Sequence, residues 1–281
     1  MKKLTRDEIV AAVKSLFLDA VRILPEDVCD AFEKAATLEE SPLGKMVIEK
    51  LLENKDVAKK EELALCQDTG FSVVFVEWGE KVLFDGENLV EAINEGVRQA
   101  YKEGYFRKSI VNDPVFDRKN TGDNIPAVIN FEFVPGEKVK IIAAPKGGGS
   151  ENMSVLKMLK PADGLEGVKK TVIEAVENAG GNPCPPVIVG VGIGGTAEKA
   201  TLLAKKAVLR KIGEHNNDNR YAELEVELLK EINKLGIGPM GFGGTVTALA
   251  VNIEYFPCHI ASLPVAINIQ CNSARHKEII L

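Results

Sequence analysis

The sequence of 281 residues holds one tryptophan, three histidines and five cysteines, and aromatic residues make up only 6% of it. The cysteines, at 29, 66, 184, 258 and 271, form no C-x2-C pair. That absence excludes zinc sites and compact ferredoxin sites built on close ligand spacing. No apolar run reaches the roughly 18 residues that a membrane span needs. At the N-terminus, Asp7, Glu8, Lys14 and Asp19 interrupt what would otherwise be the apolar stretch of a signal peptide, and leave a helical pattern. An excess of basic residues is missing too. The formal net charge of −6 provides no footprint for nucleic acid, although local arginines and backbone amides can still receive an anionic substrate. These absences predict a cytoplasmic protein with no membrane span and no nucleic-acid partner. Its cysteines are then thiols, metal ligands or catalytic groups rather than disulfides.

What is present is an ordinary globular mix, 45% hydrophobic and 27% charged. Leu4, Ile9, Val10, Val13, Leu16 and Phe17 recur at helical spacing, with Thr5 or Asp7 as caps. Further helices are predicted over Pro25–Ala36 and Pro42–Asn54, so residues 1–60 read as helical. Beyond them, strands are predicted at Phe71–Trp78, Ala127–Phe133 and Lys138–Ala144, with a helix near Glu87–Glu103 and a long polar loop over Val111–Pro126. Helices follow at Leu165–Asn178, Thr196–Ile212 and Arg220–Leu235. Apolar strands precede the glycines at 190–195, follow those at 236–244, and end at Cys271. The reading is an α/β (or α+β) fold in one domain over 1–281, a helical N-terminal region leading into mixed sheets with flanking helices.

Three kinds of site can be weighed. Gly190, Gly192, Gly194 and Gly195 follow a strand and open a helix, formally a G-x-G-x-x-G match. A dinucleotide fold would place a second strand ending in Asp or Glu about 20 residues on, and the sequence has another helix there. A Cys–His nucleophile is suggested by Cys258 beside His259, yet neighbours on a strand point to opposite faces. The third possibility is a cluster held by Cys66, Cys184 and Cys271. Their spacing is uninformative, but each stands at a turn or strand end, where a structural cysteine would more often lie inside an apolar run. Cys29, inside a predicted helix, fits that structural description.

Read together, Cys66-Gln67-Asp68-Thr69-Gly70, Lys146-Gly147-Gly148-Gly149-Ser150 and Cys271 carry a resemblance to class I fumarases. The match is narrower to the separate α subunit of the two-subunit form, a family that includes L-tartrate dehydratase α subunits. Arg107, Asn112–Pro114, Asn120–Asn124, Gly190–Thr196, Gly236–Thr247 and His259–Pro264 extend the likeness, which runs from about Glu61 to the C-terminus. The resemblance implies a [4Fe–4S] cluster ligated by Cys66, Cys184 and Cys271, with one iron left open as a Lewis acid. It implies Gln67, Arg107 and the backbone at Gly148 as contacts to substrate carboxylates. It also implies Asp68 and His259 as the groups handling the proton on the departing hydroxyl, a task suited to imidazole. Cys258 is then structural, His215 a solvated residue of a polar tract, and His276 unassigned.

The resemblance further implies that a second, C-terminal domain of the single-chain relatives is supplied here by a β subunit, in an α2β2 assembly. The expected activity is reversible hydration of fumarate to malate, with L-tartrate dehydration as the alternative. A cluster-bearing redox or sensing subunit is the reading from another class.

Overall fold

The computed structural model describes residues 2–281. In chain order the elements are β1 (Lys2–Thr5), α1 (Arg6–Arg22), α2 (Glu26–Leu38), α3 (Pro42–Lys60), β2 (Phe71–Gly79), β3 (Val82–Asp85) and α4 (Leu89–Glu103). Then come β4 (Val128–Val134), β5 (Val139–Lys146), the short turn α5 (Gly148–Glu151), β6 (Val155–Leu159) and α6 (Gly164–Ala179). The chain closes with β7 (Val187–Gly194), α7 (Ala197–Ala207), α8 (Asn219–Asn233), β8 (Ala248–Phe256), β9 (Leu263–Gln270) and β10 (Lys277–Ile280). This is the predicted α/β architecture, and among the described residues no helix is long and apolar enough to cross a membrane. The chain divides into two compact units. One contains the residues up to Pro25, Asn54–Gly148 and Arg275–Leu281; the other contains Glu26–Glu53 and Gly149–Ala274.

The first unit is built on a four-stranded sheet of order β10-β5-β2-β4, in which only β2 and β4 run parallel. Helix α1 begins at Thr5, whose hydroxyl caps Glu8 N–H while the Glu8 carboxylate accepts from Thr5 N–H. Its apolar stripe of Ile9, Val13, Phe17 and Val21 is buried against Val74, Val76, Ile141 and Ala143 of the sheet and Ile93, Val97 and Tyr101 of α4. Leu4, counted from sequence in that helical pattern, instead lies in β1, which pairs in parallel with β3.

The second unit carries a sheet of order β6-β9-β7-β8, with β7 and β8 parallel and the other pairs antiparallel. Val187, Val189, Val191 and Ile193 of β7 face a core with Val172 of α6 and Leu228 of α8. The alternate positions face α7, and there the glycines matter. A Cβ on Gly190 would stand 2.2 Å from Ala204 O, and one on Gly192 2.0 Å from Ala200 O. The glycine run is thus a packing device that lets α7 lie directly on β7, which explains the formal nucleotide motif without a nucleotide.

Candidate active site

In the first unit the segment before β2 is held from several sides. Leu65 is buried, its N–H donating to Val21 O and its carbonyl accepting from the Asn54 amide. Cys66 follows, half-buried, its thiol 3.4 Å from Gln67 Oε1. Both carboxylate oxygens of Asp68 accept backbone amides, Oδ1 from Gly70 at 3.0 Å and Oδ2 from Gly148 at 2.8 Å. Three consecutive carbonyls then take buried donors. Arg275 Nη2 donates to Asp68 O at 2.6 Å, the Tyr101 hydroxyl to Thr69 O at 2.7 Å, and Asn124 Nδ2 to Gly70 O at 3.1 Å.

The loop bearing Arg107 is stapled to the same segment, because the buried Thr69 hydroxyl donates to Arg107 O at 2.6 Å. The Arg107 and Gln67 side chains themselves are exposed. A cavity of about 720 Å³ is lined by Arg22, Cys66, Gln67, Thr69, Phe106 and Arg107. The structure therefore brings Cys66, Gln67, Asp68, Arg107 and Gly148 into one unit. It also gives the Gly148 amide a partner already, Asp68. Gly70 needs its glycine: at φ +76° a Cβ there would meet Lys146 backbone at 2.5 Å. Gly148 does not, since a Cβ would meet only Asp68 Oδ2 at 3.7 Å.

In the second unit Cys184 and Cys271 come together through the backbone. Asn272 N–H, next to Cys271, donates to Cys184 O at 3.1 Å. Cys184 has φ +56°, on a turn closed by its N–H to Gly181 O. The glycine-rich segment packs alongside, Met240 N–H donating to Pro185 O and Gly181 approaching Gly241 too closely for a side chain. Buried Glu39 anchors that segment by accepting from the amides of Thr245 and Val246. Burial would raise its carboxyl, but these amides and that of Ser41 outweigh burial and hold it below the ordinary carboxylate range.

His259 lies in the exposed β8–β9 loop. Its Nδ1 accepts from Ala261 N–H at 3.1 Å, which assigns the proton of the neutral ring to Nε2. A cavity of about 660 Å³ in this unit is lined by Gly195, Thr196, Lys199, Phe256, Cys258 and His259. No disulfide joins any of the five cysteines. Among the described residues no group of three or more His, Cys, Asp or Glu side chains could hold a single metal ion.

The family model described as fumarate hydratase (Fumerase) matches residues 10–280. The chain belongs to this family. It is 48% identical over 268 residues to a protein of Methanocaldococcus jannaschii named putative L(+)-tartrate dehydratase subunit alpha, covering 94% of each chain. It is 34% identical over 261 residues to the L(+)-tartrate dehydratase subunit alpha of Escherichia coli K12, covering 92% of this chain and 86% of that one. For this member of the fumarate hydratase family, sequence reasoning missed Tyr101, Asn124 and Arg275. Asn124 ends the stretch Asn120–Asn124 of the resemblance but had no role assigned, and no motif marks Tyr101 or Arg275. The partners of all three lie more than thirty residues away and only the fold joins them. His215, read as solvated, has its Nδ1 3.2 Å from the buried Glu225 carboxylate.

Proposed function

We propose that this chain is the α subunit of an iron–sulfur hydro-lyase acting on a four-carbon dicarboxylate, with L-tartrate as first substrate. What carries the reading is the relative 48% identical across 94% of both chains, whose name is that of an L(+)-tartrate dehydratase α subunit. The sequence resemblance put fumarate first; the names of the relatives move tartrate ahead. Fumarate hydration stays as the second reading, favoured by the description of the family model.

Cys66, Cys184 and Cys271 would hold a [4Fe–4S] cluster. The donor chemistry fits: three half-buried cysteine side chains, none in a disulfide, at turns or a strand end. Each thiolate of such a cluster binds a different iron, so the three need not converge on one ion. When bound, the cluster supplies an iron with an open position, a Lewis acid toward the substrate hydroxyl. The chain does the rest of its half. Arg107 offers a planar fork and Gln67 an amide to a carboxylate, fixing the substrate's orientation. Asp68, immobilised by two amides, exchanges the proton on the hydroxyl side. His259 presents Nε2–H as a second donor for the departing oxygen. Proton removal from carbon falls to a β subunit, consistent with relatives named as subunits alpha.

The test is the chain co-purified with its β subunit and assayed on L-tartrate, D-tartrate, L-malate and fumarate. Cys66→Ser, Cys184→Ser and Cys271→Ser should each lose iron and turnover, whereas Cys29→Ser and Cys258→Ser keep both. Iron lost by Cys258→Ser but kept by Cys184→Ser would overturn the ligand assignment. No turnover of any of the four acids by the wild-type pair would overturn the hydro-lyase reading.

A further inference from the structure

We infer that Arg275 is a positioning residue for Asp68, fixing the loop from Cys66 to Gly70 through the Asp68 carbonyl. Arg275 heads the largest fully buried side chains and is 1% exposed. Burying a guanidinium costs several kcal/mol unless a partner compensates. A structural arginine in such a place is expected to pair with a carboxylate or to satisfy all its donors. Arg275 does neither. It makes the single hydrogen bond to Asp68 O at 2.6 Å, while Nε and Nη1 are buried with no hydrogen-bond partner among the described residues.

Placement explains the cost. The carbonyls of residues 68, 69 and 70 accept in turn from Arg275, Tyr101 and Asn124, each at most 1% exposed. Two of these donors are neutral; the charged one stands at Asp68. A charge-assisted bond is about twice as strong as a neutral one, so the firmest hold falls on the residue whose carboxylate is itself fixed by Gly70 N–H and Gly148 N–H. Main chain and side chain of Asp68 are thereby located together. A reacting group displaced by about 1 Å can lose of the order of a hundredfold in rate, and this is the displacement that Arg275 prevents.

The proposal has a structural arm that is independent of the reaction and a kinetic arm that rests on the hydro-lyase reading. Both use the full chain in complex with its β subunit, with Arg275→Lys as the mild variant and Arg275→Gln as the severe one. Amide hydrogen exchange at residues 66–70 and at Gly148 should quicken by about tenfold or more in Arg275→Gln, while exchange in β7 and α8 stays as in wild type. In the kinetic arm, Arg275→Gln lowers kcat by about a hundredfold, with KM within about threefold and iron content unchanged, and Arg275→Lys recovers part of kcat. Unchanged exchange and unchanged kcat would overturn the proposal. Loss of folding or of iron in both variants would also overturn it, assigning Arg275 a purely structural role. If the wild-type pair turns over no dicarboxylate but exchange at 66–70 quickens as expected, the positioning stands and the hydro-lyase reading falls.

Discussion

Tyr101 lies wholly inside the first unit, donating its hydroxyl to Thr69 O. Burial pushes that hydroxyl up from its ordinary value of 10.0 to about 12. The neutral form is therefore favoured in the folded chain. Below pH 10 both states keep the proton and the contribution is complete. Between pH 10 and 12 the unfolded chain ionises while the folded one does not, so stability falls as pH rises, by roughly 3 kcal/mol in all. Urea denaturation of the wild type at pH 9 and pH 11.5 should show this loss, and Tyr101→Phe should lack it. Equal alkaline losses in both would disprove the assignment. At this scale the sequence was legible wherever a partner was close by. The Thr5 cap, with Glu8 three residues on, could be read directly. Cys66, Asp68 and Gly148 could be read only as part of longer motifs. Tyr101 and Arg275 could not, because nothing near an isolated tyrosine or arginine records that its partner is a carbonyl far along the chain.

Between secondary-structure elements the decisive contacts are backbone against backbone. Gly192 on β7 and Ala200 O on α7 leave no space for a methyl group, and neither side can retreat without breaking a ladder or a helix. Gly192→Val should destabilise the second unit by about 3 kcal/mol or more, seen as a lowered thermal midpoint or loss of soluble protein. Gly148→Ala makes only an ordinary contact and should keep the wild-type midpoint. Equal midpoints for Gly192→Val and wild type would mean that α7 can slide, contrary to this packing. Long, strongly periodic elements such as α1, α4, α6, β7 and β9 were legible because burial itself writes their pattern. The short strands β1, β3, β6 and β10 were not, since four or five residues carry too little alternation and their pairing is set by distant neighbours. Helix ends also slipped. Helix α7 stops at Ala207 rather than Ile212, and just beyond it Arg210 turns to Glu225, Glu254 and Ile253 O. Helix α3 continues past Asn54, whose side chain donates to Leu65 O and so does not cap the helix.

For the molecule as a whole the question is how much of a reaction one chain can contain. A dicarboxylate presents two anionic ends, and its dehydration needs one proton delivered to oxygen and another removed from carbon. In the proposed assignment Asp68 and His259 would serve the oxygen side, and Gln67 and Arg107 one carboxylate. None is assigned to carbon, and the relatives are named as alpha subunits. The chain purified alone and loaded with iron and sulfide under anaerobic conditions should therefore show the absorbance of a [4Fe–4S] cluster. Its turnover of L-tartrate and fumarate should be at least about a thousandfold below that of the pair, the order lost when an acid–base partner is missing. Adding the β subunit should restore the rate, saturating at one β per α. Rapid turnover by the loaded chain alone would show that the base acting on carbon lies within these 281 residues. Glu198 and Lys199, which line the cavity around His259, would then be the first place to look for it.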